Sequence, residues 1–220
     1  MRKIVAATFL SLDGVMQAPG GPEEDTAGGF GHGGWTFHYW EEAMGELMGK
    51  LFDEPFDLLL GRRTYEIFAA HWPCAGDEDP IARAFNTTTK YVATSSEAPL
   101  TWRNSVALHD VAADVARLKK QDGPKLLIQG SSVLIQTLLK HDLIDEIDLL
   151  IFPLVLGKGK RMFGEGTIPA ALKLVDSKAS STGVVMSRYR REGEIRTGSF
   201  AQAQPSEAEI ARRERMAAKA

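Results

Sequence analysis

The chain has 220 residues, 44% of them hydrophobic and 25% charged, with a formal net charge of −3 at pH 7. That length suits one domain with a sizeable core, and the slightly acidic balance argues against a nucleic-acid partner held through a general basic field. Cys74 is the only cysteine, which rules out an intramolecular disulfide and a cysteine-rich metal site.

Arg2 and Lys3 precede IVAATFL, a faint imitation of a secretion signal, but the apolar run is short and Asp13 follows without a small-residue cleavage site. Ile4–Leu10 therefore reads as a first, central strand, closed by Ser11-Leu12-Asp13-Gly14. No apolar run approaches the roughly 18 residues that span a bilayer. No membrane partner is expected, and a cytoplasmic location follows by elimination.

Residues 18–34 are glycine-rich and without periodic pattern. A loop this long inside a compact domain is functional or disordered. It leads into the aromatic patch Trp35–Trp40, either a lid over a flat ligand or packing at the start of the next helix. Glu41–Phe52 has helical spacing. Phe56–Leu60 is a short strand that ends in Gly61-Arg62-Arg63-Thr64, and Tyr65–Ala70 continues as helix. A loop at 71–80 precedes a short helical segment, Ile81–Phe85. Lys90–Thr94 is a strand ending in Thr94-Ser95-Ser96, followed by a small strand, Ser105–Leu108, and an amphipathic helix, Val111–Lys120.

Lys125–Leu139 (KLLIQGSSVLIQTLL) reads as strand, glycine turn and helix start. Such a turn is a phosphate receptor or an ordinary βα junction. Asp145–Phe152 is the next strand, then a glycine- and lysine-rich loop over 153–166 that lacks the P-loop pattern. Leu172–Ala179 and Val184–Arg190 form a closing antiparallel hairpin around Ser180–Gly183. From 191 to 220 the chain turns polar and charged, a tail or appended helix with a capping box at Ser206 and Glu209.

Strands alternating with helices, then two closing strands, predict an α/β fold: a mainly parallel central sheet, an antiparallel C-terminal edge and helices on both faces. Ligands of such sheets bind outside the carboxyl ends of the strands. Three strand ends carry phosphate- or hydroxyl-friendly residues, at 61–64, 94–96 and 130–132. Three on one edge suggest an extended ligand with more than one phosphate, such as a dinucleotide, although G-x-G-x-x-G is missing.

SLDG at 11–14, LLLGRRTYE at 58–66, YVATSS at 91–96, the 125–139 stretch and DEIDLLIFPLVLGKGKRMF at 145–163 together resemble the dihydrofolate reductase superfamily. The likeness is to the branch containing the C-terminal reductase domain of bifunctional riboflavin-biosynthesis proteins, and it spans roughly residues 3–190. It implies a three-layer dihydrofolate-reductase-like fold over 1–190 that binds NADPH. Gly61, Arg62, Arg63 and Thr64 match the family's first phosphate turn. Thr94, Ser95 and Ser96 match the segment near the adenosine 2′-phosphate. Gly130, Ser131, Ser132, Val133 and Leu134 match the pyrophosphate turn, with Ser131 in place of the usual second glycine. Gly157, Gly159 and Phe163 match the segment framing cofactor and substrate. The arginines favour NADPH over NADH, because a 2′-phosphate needs a cationic partner.

The resemblance also puts nicotinamide and substrate beside Asp13. Its carboxylate could accept ring N–H bonds or place a proton donor, or it could simply form an Asp-Gly turn. Folate reductases carry an acidic residue near the position of Met44–Gly45, where this chain has none; Glu41, Glu42 and Glu46 flank it. His32 and His38 read as surface residues. The expected function is NADPH-dependent reduction of a small heterocycle, pyrimidine- or pterin-like or of the riboflavin-pathway 5-amino-6-(5-phosphoribosylamino)uracil type. Classical dihydrofolate reduction is not expected, nor a metal. The alternatives are a non-catalytic nucleotide-binding module of the same fold, and a protein whose glycine turns are purely structural. A homodimer is implied by the resemblance alone.

Overall fold

A computed structural model describes residues 1–76, 78–165, 167–200 and 204–218. One eight-stranded sheet runs through it, in the order β4-β3-β2-β5-β1-β6-β8-β7. The strands are β1 (Ile4–Ser11), β2 (Phe56–Gly61), β3 (Lys90–Ala93), β4 (Ser105–Leu108), β5 (Lys125–Gln129), β6 (Glu146–Phe152), β7 (Ala171–Ala179) and β8 (Val185–Gly193). The helices are α1 (Glu42–Phe52), α2 (Arg62–His71), α3 (Pro80–Thr87), α4 (Val111–Lys120), α5 (Ser132–Lys140) and α6 (Glu207–Ala217). Strands β1 to β6 pair in parallel, while β8 runs antiparallel to both β6 and β7. The expected sheet, with its antiparallel C-terminal edge, is the one observed.

The continuous apolar runs of β1, β2 and β5 follow from burial on both faces. Side chains alternate across a strand, so Ile4, Ala6, Leu126, Ile128 and Leu59 face α4 and α5. Val5, Ala7, Leu127, Leu58 and Leu60 face the opposite layer, built from α1, α2 and α3. Each fully buried aliphatic side chain contributes roughly 1.5–3 kcal/mol against exposure. The central β5 is buried on both faces, and the Gln129-Gly130-Ser131 turn leaves from its end.

Several boundaries differ from expectation for local reasons. Helix α2 begins at Arg62, directly after Gly61, so Arg62, Arg63 and Thr64 form its first turn rather than a connecting loop. Helix α3 begins at Pro80, because Asp79 caps it by accepting from Ile81 N and Ala82 N at 2.8 and 3.2 Å. Residues 18–34 are tied down by side chains. Gln17 Nε2 donates to the carbonyls of Asp25 and Ala27, and Trp35 Nε1 donates to the Gln17 carbonyl at 2.8 Å. The aromatic patch divides its roles. Trp35 and Tyr39 pack edge-on against Phe152, and Trp40 against Phe9. Strand β8 continues to Gly193, so a division after residue 190 would fall inside a strand. The Ser206 hydroxyl caps α6 through Glu209 N, and no residue of that helix is buried.

Strand β3, which carries Thr94 at its exit, is anchored by an unusual residue. Lys90 is fully buried. Its ammonium donates to the carbonyls of Asn86, Thr88 and Arg103 at 3.2, 2.8 and 3.1 Å and sits 4.3 Å from the centre of the Trp102 ring. Burial, with the charge of Arg103 adding to it, pushes its pKa down to about 8. The folded state therefore releases this proton before the unfolded state does. The cost of the buried charge is present below pH 8 and is relieved as the pH rises from about 8 towards 10.5. Lys90→Met leaves three carbonyls without their donor and is expected to lose about 2–4 kcal/mol in urea unfolding at pH 7. It should also lack the parent's gain in stability between pH 8 and 10. A variant as stable as the parent would mean that the carbonyls find other donors.

Candidate active site

A cavity of about 1240 Å³ opens at the carboxyl ends of β1, β2, β3 and β5. Gly61, Arg62, Arg63 and Thr64 line it, as do Thr94, Ser95, Gly130, Ser131, Ser132, Val133 and Leu134. Ser96 does not. It is exposed, with its N–H donated to Thr94 Oγ1 and its hydroxyl accepting from Ala98 N, so it shapes the turn from outside.

Two helices point their N-termini into the cavity, α2 after Gly61 and α5 after Ser131. Neither has a side-chain cap, nor has α1, whereas α3, α4 and α6 are capped by Asp79, Asp110 and Ser206. Uncapped N-terminal amides keep their donors and the positive end of the helix dipole for another partner. The two turns also touch. Ser131 Oγ accepts from Gly61 N at 2.9 Å and donates to Thr64 Oγ1 at 2.7 Å. A Cβ at position 61 would lie 3.2 Å from that oxygen, a tight contact that Ser131 would have to yield to by a few tenths of an ångström. To make this approach, Gly130 and Ser131 both take left-handed backbone, with φ of 78° and 67°. For serine that conformation costs about 1–2 kcal/mol. Just before them, Gln129 Nε2 is buried and has no hydrogen-bond partner among the described residues.

Asp13, expected as the catalytic group, does not line the cavity. Its Oδ1 accepts from Ser11 Oγ at 2.6 Å and Leu156 N at 3.0 Å, and its Oδ2 from Gly157 N at 2.9 Å and Arg161 Nη2 at 3.2 Å. The Ser11 hydroxyl and the two amides hold its pKa down at about 2, against burial. A carboxylate fixed as an anion and turned to the 154–161 loop positions that loop and carries no proton near neutral pH. Gly157, Gly159 and Phe163 also lie outside the cavity wall, and His32 and His38 are exposed surface residues. Glu41 is taken up by Ser181, while α1 turns Gly45, Met48 and Phe52 to the cavity.

Other charged groups, not anticipated from the sequence, line the cavity instead. Asp25 is buried and pairs with Arg63 Nη1 at 2.8 Å and with Lys160 Nζ. Burial alone would raise its pKa, but the Lys160 hydrogen bond and both positive charges hold it below the usual carboxylate range. Gln17 Oε1 accepts from Lys160 N at 3.0 Å, which ties the 18–34 and 154–161 loops together. Glu24 accepts from Gly20 N and Gly21 N at 2.6 and 3.2 Å through Oε2. Burial, assisted by the charge of Asp25, raises its pKa despite those two amides. Glu24 and Asp25 sit in a stretch whose composition reads only as loop. Gln129 was legible, since it immediately precedes the glycine turn.

A family model for the RibD C-terminal domain matches residues 2–186. The chain belongs to that family. It is 29% identical over 192 residues to the uncharacterized protein YwjB of Bacillus subtilis, covering 86% of this chain and 98% of that one. With the uncharacterized protein YyaP of the same organism it shares 28% identity over 139 residues, 62% of this chain and 74% of the relative. Two solved structures share the fold. A putative riboflavin biosynthesis protein from Shewanella sp. PV-4 superposes with a TM-score of 0.58 at 22% identity, covering 86% of this chain and 99% of that one. Dihydrofolate reductase from Enterococcus faecalis, complexed with NADP(H) and RAB-propyl, gives 0.56 at 18% identity, with 86% and 96% covered. The dihydrofolate-reductase-like architecture expected from the motifs is thereby shown. Among the described residues, no helix is long and apolar enough to cross a membrane.

Two predictions follow from this geometry. Ser131→Gly relieves the left-handed strain and loses the hydroxyl bridge, so its stability should stay within about 1 kcal/mol of the parent. Ser131→Ala keeps the strain and loses the bridge, so thermal or urea unfolding should show a loss of about 1–2 kcal/mol; the reverse order would refute the strain argument. For Asp13, a depressed folded-state pKa adds stability above its ordinary value of 3.8 that disappears as the pH falls through about 2. The stability gap between the parent and Asp13→Asn should be fully present at pH 7 and close between about pH 4 and 2; a pH-independent gap would contradict this assignment.

Proposed function

We propose that this protein is an NADPH-dependent reductase of a small heterocycle. The observation that carries the reading is the pair of uncapped helix N-termini, α2 and α5, opening on one cavity beside the partnerless Gln129 amide. Convergent N-terminal amides suit a pyrophosphate. The buried Gln129 Nε2 suits a carbonyl oxygen, such as that of a carboxamide. Arg62 Nη1 donates to the Ala98 carbonyl at 3.0 Å, so its guanidinium stands against the 94–98 segment. A charge at that point supports preference for a 2′-phosphate, hence for NADPH.

When bound, NADPH supplies a hydride, two electrons in all, and leaves as NADP⁺. The chain would orient the acceptor, exclude water and provide the proton. A C=N or C=O group that gains hydride on carbon needs one proton on nitrogen or oxygen. Glu24 is the cavity-lining carboxyl whose pKa is raised, so it holds a proton to higher pH than an ordinary glutamate. Asp13 positions the 154–161 loop, which carries Lys160 to the cavity.

NADPH titrated against the protein should show enhanced or blue-shifted nicotinamide fluorescence with saturable binding, tighter than NADH, and Arg62→Ala should erase that preference. No change at millimolar cofactor would refute the reading. Binding without turnover on any heterocycle would leave the alternative, a nucleotide-binding module that lacks catalysis. Given a substrate, Glu24→Gln should lower kcat with NADPH affinity intact. The parent's rate should fall as rising pH removes the Glu24 proton, and the variant should lack that limb; an unchanged profile would move the proton source elsewhere.

A further inference from the structure

The cavity of about 1240 Å³ exceeds the roughly 300–1,000 Å³ of a site built for one small molecule, so it has room for a second compound beside a dinucleotide. The phosphate-friendly turns occupy the walls from β2, β3 and β5. The opposite wall comes from the end of β1, the aromatic patch, α1 and the far end of α2. It presents Phe9, Trp40, Met48, Phe52, Phe68 and Trp72. Met48, Phe52, Phe68 and Trp72 pack on one core cluster, with Phe68 and Trp72 edge-on at 6.1 Å, and Phe9 meets Trp40 edge-on at 5.9 Å. Packed aromatic faces of this kind favour a flat ring.

Charge on that wall is the second observation. Among the described residues lining the cavity, the lysine and arginines are Arg62, Arg63 and Lys160. Arg62 is held by Glu66 and the Ala98 carbonyl beside the proposed cofactor turn, while Arg63 and Lys160 share the single carboxylate of Asp25, which leaves that trio one positive charge in excess. On the α1–α2 side the one titratable side chain turned to the cavity is His71, packed edge-on against Trp72 at 4.8 Å. Helix α1 offers no carboxylate there; it offers Gly45, whose missing Cβ would meet nothing within 4 Å. On this wall a phosphate or carboxylate would lose its water with only His71 to offset the loss, and a protonated ring would meet no carboxylate from α1 or α2.

We infer that the second compartment takes a planar, uncharged, largely apolar ring compound, and that a phosphate or carboxylate placed directly on that ring is disfavoured there. The inference rests on the reductase reading for its chemistry, with hydride and proton going to a C=N or C=O of that ring. The wall itself can be tested without cofactor. Quinoxaline and quinoxaline-2-carboxylate share one ring and differ by a carboxylate. Each is titrated against the full chain by tryptophan quenching and by calorimetry, with and without NADPH. Quinoxaline should bind at least about tenfold more tightly than the carboxylate, a difference of about 1.4 kcal/mol. Gly45→Lys sets a cation on the open face of α1 and should swing the preference towards the carboxylate by about tenfold. Equal or tighter binding of the carboxylate to the parent, no binding of either ring, or an unshifted preference in Gly45→Lys would overturn the inference. Failure of NADPH to bind, with the ring preference intact, would overturn the reductase reading alone.

Discussion

The hydroxyl of Ser131 joins two βα turns that the chain makes 70 residues apart, accepting from Gly61 N and donating to Thr64 Oγ1. This contact sets how the N-termini of α2 and α5 converge. It leaves little room for a side chain at 61 and goes with left-handed backbone at 130 and 131. Because β5 is buried on both faces and lies between β2 and β1, the turns at its edge have little freedom to drift. The strain at Ser131 is tolerated because the surrounding packing over-determines its position. The same hydroxyl takes one amide of the α2 turn out of circulation. Under the proposed reading, an anion on this side would be left the remaining N-terminal amides of the two helices.

Two carboxylates organise the other rim, and they do so in opposite ways. Asp13 gathers the amides of Leu156 and Gly157 with the Arg161 guanidinium and so fixes the loop after β6. Asp25 faces the cavity and draws Arg63 and Lys160 together, linking the first turn of α2 to that same loop. One carboxylate shared by two cations leaves a positive charge in excess on this rim. The aromatic wall from α1 and the far end of α2 carries His71 alone as a titratable group, so its selectivity rests mainly on shape and desolvation.

The motifs that carried the resemblance are local. GRRT and QGSS each follow a buried apolar run and start a helix, so strand, turn and helix were legible from spacing alone. Eleven of the twelve residues expected at the cofactor turns line the cavity, the exception being Ser96. Asp13 turns to the neighbouring loop and not to the cavity; a carboxylate just past a strand end has the same sequence signature whichever way it faces. Its direction depends on residues 154–161, distant in the chain. Asp25 and Lys160 were missed because their partners, too, come from separate segments, and Glu24 because its local partners are backbone amides of a loop without periodic pattern.

The sequence by itself determined the alternation of strands and helices, the doubly buried central strands and the glycine turns at their ends. Those follow from side-chain periodicity and backbone sterics within a few residues. Only the tertiary structure decided which polar groups satisfy each other and which are left for a ligand: Ser131 on Gly61, Asp13 on Leu156 and Gly157, Asp25 between Arg63 and Lys160, and Gln129 with its amide unpaired. Hydrogen bonds and ion pairs act over a few ångströms. Their partners are set by strand order and loop return, which no local stretch of the chain encodes.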